Sequence, residues 1–291
     1  MSDRSTQPRD IEPGSPGPTR EKNRQFAIGL AHASGGALLF AMPMMMTLEM
    51  WSLGFFMDPL RLVVFILLNV PLLIGLSYYA GFEETDYYLE DVVDAFTAYA
   101  VGFATSALLL WLMAIIEPGM SADEIVGKIA VQAVPASIGA MLVRSQLGER
   151  QRKEEKRRDT HYAGGLFLTA VGALYLSISL ASTEETIHIA SAMSVAQLLG
   201  LMLLSLVLLH GFLQATINRG KTDLPADEAT FRRVFFRHTV IAYAIALLIS
   251  ALILWIFGHT DGQGGLPELI RSAVVLAFPA ALGAGAARLI L

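Results

Sequence analysis

The chain has 291 residues, 54% of them hydrophobic and 16% charged, with a mean hydropathy of +0.53. That composition excludes an ordinary soluble domain, and the lack of cysteine excludes disulfides, thiolate metal sites and cysteine nucleophiles. The net charge of −5 points to no class of partner, and no basic pattern suggests nucleic acid.

Residues 1–25 hold four prolines and mixed charges with almost nothing apolar. Such a segment cannot bury enough surface to fold, so it reads as a disordered tail and not as a signal peptide. Apolar blocks then follow, among them Val63–Leu76, Ala100–Ile116, Leu198–Leu209 and Val240–Phe257. A hydrocarbon core about 30 Å thick needs roughly 20 apolar residues as a helix, and helices keep their backbone bonds internal. The pattern predicts eight spans, at 26–50, 60–82, 92–116, 125–146, 161–183, 187–213, 234–257 and 267–290. The expected fold is therefore an all-α integral membrane protein.

Lysine and arginine set the expected orientation. With the N-terminus inside, eighteen fall on inner segments, and only Arg61, Lys128 and Arg271 fall outside. That bias predicts cytoplasmic termini.

Residues 91–147 lie without a gap on 235–291, an offset of 144, with 17 of 57 pairs identical. Tyr99 falls on Tyr243, Ser106 on Ser250, Trp111 on Trp255, Pro135 on Pro279 and Gly139 on Gly283. Earlier in each copy, His32-x-x-Gly35-Gly36 is set against His161-x-x-Gly164-Gly165 at an offset of 129, and Gly81 against Gly211 at 130. This predicts two parallel-oriented four-helix repeats, at 26–147 and 161–291, joined by a charged linker at 148–160. An axis along the membrane normal should relate them.

The His-x-x-Gly-Gly span running into Thr47-Leu48-Glu49-Met50-Trp51 resembles an uncharacterised family of bacterial multi-span integral membrane proteins. The resemblance covers most of the chain beyond the tail. It implies a bacterial inner (cell) membrane location and carries no catalytic or ligand residues.

Several residues are candidates for a pathway. His32 and His161 recur before glycine pairs, so they serve either a packing face or a proton-handling pair. Glu49 closes an otherwise apolar span; it is interfacial beside Trp51 or a carboxylate on the path. Asp94 belongs to an acidic run with Glu83, Glu84, Asp86, Glu90 and Asp91, and falls on His238 in a basic run. Opposite charges there could join the halves, or form only a solvated rim. Gly35, Gly36, Gly164 and Gly165 read as packing surfaces, and Pro135, Gly139, Pro279 and Gly283 as packing kinks or broken-helix ligands. Arg144 and Arg288 read as snorkelling anchors. Met42, Met46 and Met50 fall at i, i+4 and i+8 and share a helix face, a pattern that fits gap filling or soft-metal contact.

No nucleotide, zinc-dyad or Ser/His/Asp pattern is present, and no cofactor is expected. The expected function is a channel or secondary transporter for an ion or small solute, with the path between the repeats. A non-transporting scaffold or sensor acting through the tail and linker is the rival, ahead of a membrane enzyme.

Overall fold

The computed structural model describes residues 18–80, 88–148, 162–218, 231–259 and 265–290. Eleven α-helices and one π-helical turn make up the described residues, with no strand. They are α1 (Pro18–Met45), α2 (Leu48–Phe56), α3 (Pro59–Ala80), α4 (Tyr88–Leu112), α5 (Ala122–Gly148) and α6 (Tyr162–Ala181). Then follow α7 (Glu185–Ala192), α8 (Val195–Asn218), α9 (Phe231–Val234), the π turn Phe235–Val240, α10 (Ile241–Ile256) and α11 (Gly265–Ile290). Eight of these stretches are long and apolar enough to cross a membrane, so the chain is a multi-pass integral membrane protein.

Two boundaries differ from expectation for local reasons. Span one, expected over 26–50, stops at Met45, where Thr47 takes an extended backbone and its hydroxyl donates to the Met44 carbonyl at 2.8 Å. The chain then starts the separate short helix α2. Met42 and Met46 are exposed while Met50 is fully buried, so the methionine stripe does not form. Span six likewise divides into α7 and α8. Ser194 is the break, with a reciprocal cap in which Gln197 N–H donates to Ser194 Oγ (3.3 Å) and Ser194 N–H donates to Gln197 Oε1 (2.7 Å). At the other end, the helical start at Pro18 precedes the expected boundary at 26; the tail before it lies outside the described residues.

The core is built around α5 and α11. In the first half α5 packs against α1, α2, α3 and α4; in the second α11 packs against α6, α7, α8 and α10. Glycines set how closely these helices approach. A Cβ on Gly36 would collide with the carbonyl oxygen of Gly139, and one on Gly172 with that of Gly283. Without side chains at these crossings, dispersion between backbones and neighbouring residues replaces the hydrophobic drive that lipid does not supply.

The halves meet differently. Backbones approach between α3 and α5 of the first half and α6 and α10 of the second, and Phe40 of α1 also reaches α6, so the contact is lopsided. Rings fill it: Phe40 on Tyr175, Phe65 on Phe257 and Tyr79 on Phe167, with centroids 5.1, 5.6 and 5.1 Å apart. The Tyr175 hydroxyl also donates to the Phe40 carbonyl at 3.0 Å. Below, the side on which α1 begins is called the near side, and the opposite one the far side.

Candidate functional site

Polar residues that interrupt apolar spans are the natural place to look, because hydrocarbon surroundings make an unpaired polar group costly. Three spans of the first half carry such residues near their middles. On α3 it is Asn69, the single strongly polar residue in the Val63–Leu76 block. On α4 they are Tyr99 and Ser106, and on α5 Gln132 and Ser137. All five are buried, Ser106, Gln132 and Ser137 completely.

Only some of their polar atoms are hydrogen-bonded. Asn69 Nδ2 donates to Ser137 Oγ at 2.8 Å, and Ser137 Oγ donates to the Val134 carbonyl at 2.8 Å. The Tyr99 hydroxyl donates to the Ile66 carbonyl at 3.1 Å. Gly102 of α4 lies directly against Ala133 and Ser137 of α5, which fixes the level at which these helices cross. Ser106 stands one turn beyond Gly102 toward the far side, and Gln132 lies two turns before Gly139, on the face of α5 that meets α1. Four of their buried atoms have no hydrogen-bond partner: Asn69 Oδ1, Ser106 Oγ, and both amide atoms of Gln132. Pro135 adds to these atoms, since a proline inside a helix releases the carbonyl four residues earlier, here Val131. The chemistry on offer is a set of neutral oxygen donors with an amide N–H, suited to a monovalent cation or a polar neutral solute.

The predicted pathway residues do not converge on these residues. His32 is half-buried on α1, and His161 lies outside the described residues. The glycine faces join α1 to α5 and α6 to α11, rather than α1 to α6. Their contacts pair the helices in a register other than 129. Gly36 meets Gly139 and Val143, while Gly172 meets Gly283 and Ala287, and the second members of these contacts are 144 residues apart. The counterpart of Gly36 by contact is therefore Gly172, 136 residues on, which sets His32 against Leu168. Ala27-x-Gly29-Leu30 and Gly36-Ala37-Leu38 then fall on Ala163-x-Gly165-Leu166 and Gly172-Ala173-Leu174. The 129 and 136 registers differ by about two helical turns.

Glu49 is exposed in the first turn of α2, where a carboxylate favours the helix N-terminus. Asp94 is half-buried on α4, and His238 is 5% exposed with its ring 5.2 Å from that of Tyr162. Of the acidic run, Glu83, Glu84 and Asp86 lie outside the described residues, and Asp91 is buried, accepting from Ser77 Oγ at 2.8 Å. Gly35 and Gly164 sit beside the contact glycines. Pro135 is fully enclosed within α5 and Pro279 half-buried within α11. Among the described residues no three His, Cys, Asp or Glu side chains come together.

Sequence reading passed over Asn69 and Gln132. A signal was available: at 136 and 144 residues further on stand Ser205 and Leu276, and Ala281 stands for Ser137. The second half has no amide side chain at either position.

No curated protein and no solved structure matches the chain. A family model does, over residues 29–291, which span all eight membrane helices apart from the start of α1. The chain thus belongs to the family described as "Putative integral membrane protein (DUF2391)".

Proposed function

We propose that the protein is a channel or secondary transporter for a small ion or polar solute, bound within the first four spans by Asn69, Ser106, Gln132 and Ser137. In this reading the chain is two parallel-oriented copies of one four-span unit, at 26–147 and 161–291. It sits in a bacterial inner membrane with cytoplasmic termini. The observation that carries the function is the set of partnerless amide and hydroxyl atoms buried near the middle of α3, α4 and α5. Buried polar atoms inside a membrane protein are costly, and binding or conducting a solute is the usual return for that cost. The binding position lies inside the first unit, away from the ring-packed contact between the units.

The duplication is supported by equal capping at the ends of α4 and α10. Ile115 N–H donates to Leu110 O at 2.9 Å and Ala114 N–H to Trp111 O at 3.1 Å; His259 N–H donates to Leu254 O at 3.0 Å and Gly258 N–H to Trp255 O at 3.1 Å. Both are Schellman caps, offset by 144. The eighteen-to-three bias of lysine and arginine supports the orientation. Reporter fusions after Arg150 and after Asn218 should read cytoplasmic, and fusions near Pro118 external; the reversed pattern would refute this topology.

Flux into proteoliposomes across a panel of monovalent ions and small polar solutes tests the function. Wild-type protein should conduct at least one of them, and Gln132→Leu should abolish that flux while inserting and folding normally. A scaffold or sensor is the second reading, favoured by the ring-packed contact between the halves. It predicts no flux for any solute, and a flux that Gln132→Leu and Asn69→Leu leave unchanged removes the proposed site.

A further inference from the structure

The near-side ends of α6 and α11 hold a second polar feature, which the buried polar residues of α3, α4 and α5 do not explain. Arg288, in the last turn of α11, is 7% exposed. Snorkelling arginines keep the guanidinium in water; this one folds inward across the first turn of α6. A Cβ on Gly165 would stand 2.7 Å from Arg288 Nη2 and 3.0 Å from Cζ, so the guanidinium lies flat on the glycine. Its Nη1 is buried and makes no hydrogen bond. The same turn of α6, Tyr162–Gly165, is a helix N-terminus, where the first backbone N–H groups lack intrahelical partners and the dipole is positive.

More positive charge surrounds the same turn. The Arg237 guanidinium stacks over the Tyr162 ring at 5.4 Å, and the Tyr162 hydroxyl donates to the Arg237 carbonyl at 2.7 Å. His238 sets its ring against the other ring edge. The π-helical turn Phe235–Val240 brings these two residues onto α6. A buried guanidinium with an unused nitrogen, placed on a helix N-terminus and held at the membrane surface, is incomplete without an anion.

We propose that Arg288 and the first turn of α6 form a binding site for a phosphate-type oxyanion, with the Arg237 guanidinium adding positive potential beside Tyr162. The planar guanidinium fork matches two oxygens of a phosphate, and the helix amides match a third. Two sources present this chemistry at a membrane surface, namely the phosphodiester of an anionic lipid and free phosphate.

The test uses full-length protein in neutral detergent, stripped of lipid and free of phosphate. Thermal unfolding is followed during titration with phosphatidylglycerol, phosphatidylcholine or inorganic phosphate. The wild-type midpoint should rise saturably with phosphatidylglycerol, with phosphate, or with both. A response to phosphatidylglycerol alone identifies a lipid headgroup, and a response to phosphate alone a free anion. Arg288→Gln should weaken the apparent affinity roughly 10- to 100-fold, the range expected when a charged hydrogen-bonding group is lost. It should also be no less stable than wild type before anything is added, because it removes an unpaired buried charge. Arg288→Lys, which keeps the charge without the fork, should fall between them, and this variant decides the matter should glutamine prevent folding. Arg61→Gln, at the far side, should respond as wild type does. An equal response to phosphatidylcholine, no response at all, or Arg288 variants with wild-type affinity would each overturn the site.

Discussion

The first and second halves solve the same packing problem with different interiors. In each, one enclosed helix serves as the hub, α5 or α11, and one bare glycine crossing sets how closely the first span packs onto it. Around that shared frame the first half places Asn69, Gln132 and Ser137, where the second has Ser205, Leu276 and Ala281. Ser106 Oγ has no partner, whereas Ser250 Oγ lies 3.4 Å from Ser177 Oγ. Burying an unpaired amide costs on the order of 1–3 kcal/mol. The first half therefore buries an unpaired amide where the second has leucine, while the second leaves the Tyr243 hydroxyl and Arg288 Nη1 without partners.

The sharpest way to break the comparison is at the crossings. Gly139→Leu and Gly283→Leu should each destabilise the protein by about 3 kcal/mol or more, because the side chain must displace backbone and not a flexible tip. Denaturant unfolding in mixed micelles would read this. If one variant were tolerated, the halves would not share a frame.

Exchanging the interiors comes next. Leu276→Gln should cost about 2 kcal/mol by burying an unpartnered amide in the second half, while Gln132→Leu should gain about 1–2 kcal/mol in the first. Opposite signs in a thermal-shift measurement are expected; a loss of stability in both would mean that Gln132 is satisfied where it stands.

The two tyrosines sharpen the contrast further. Tyr99 donates to Ile66 O at 3.1 Å, but the buried hydroxyl of Tyr243 has no hydrogen-bond partner. Tyr99→Phe should lose roughly 1 kcal/mol, and Tyr243→Phe should be neutral or slightly stabilising in the same assay. Equal losses would erase the distinction.

The smallest effect lies at the far-side caps. Ala114 adopts φ 55°, a conformation that disfavours any side chain, where the second half has Gly258 at φ 85°. Ala114→Gly should stabilise by about 0.5–1 kcal/mol, and Gly258→Ala should cost a similar amount. Thermal melts of the two single variants and of the double exchange would show whether the caps act alike.

What the sequence determined by itself was the class and the number of spans. Long apolar blocks leave lipid-buried helices as their only stable form, and that argument needs no partner residue. The 144 offset was equally plain, since Pro135 and Gly139 recur as Pro279 and Gly283 inside unbroken matching stretches. Tertiary contact decided the rest. The register of the first span depends on which glycine touches which backbone: Gly35-Gly36 and Gly164-Gly165 look alike in one dimension, whereas only Gly36 and Gly172 meet the hub helices at matching places. Helix breaks at Met46–Thr47 and at Ser194 are set by a few local hydrogen bonds that hydropathy does not register. The buried polar residues and the inward-turned Arg288 were the least visible, because satisfaction of a polar atom is a property of its neighbours. An asparagine or arginine in an apolar run becomes informative only when the surrounding helices leave it without a partner.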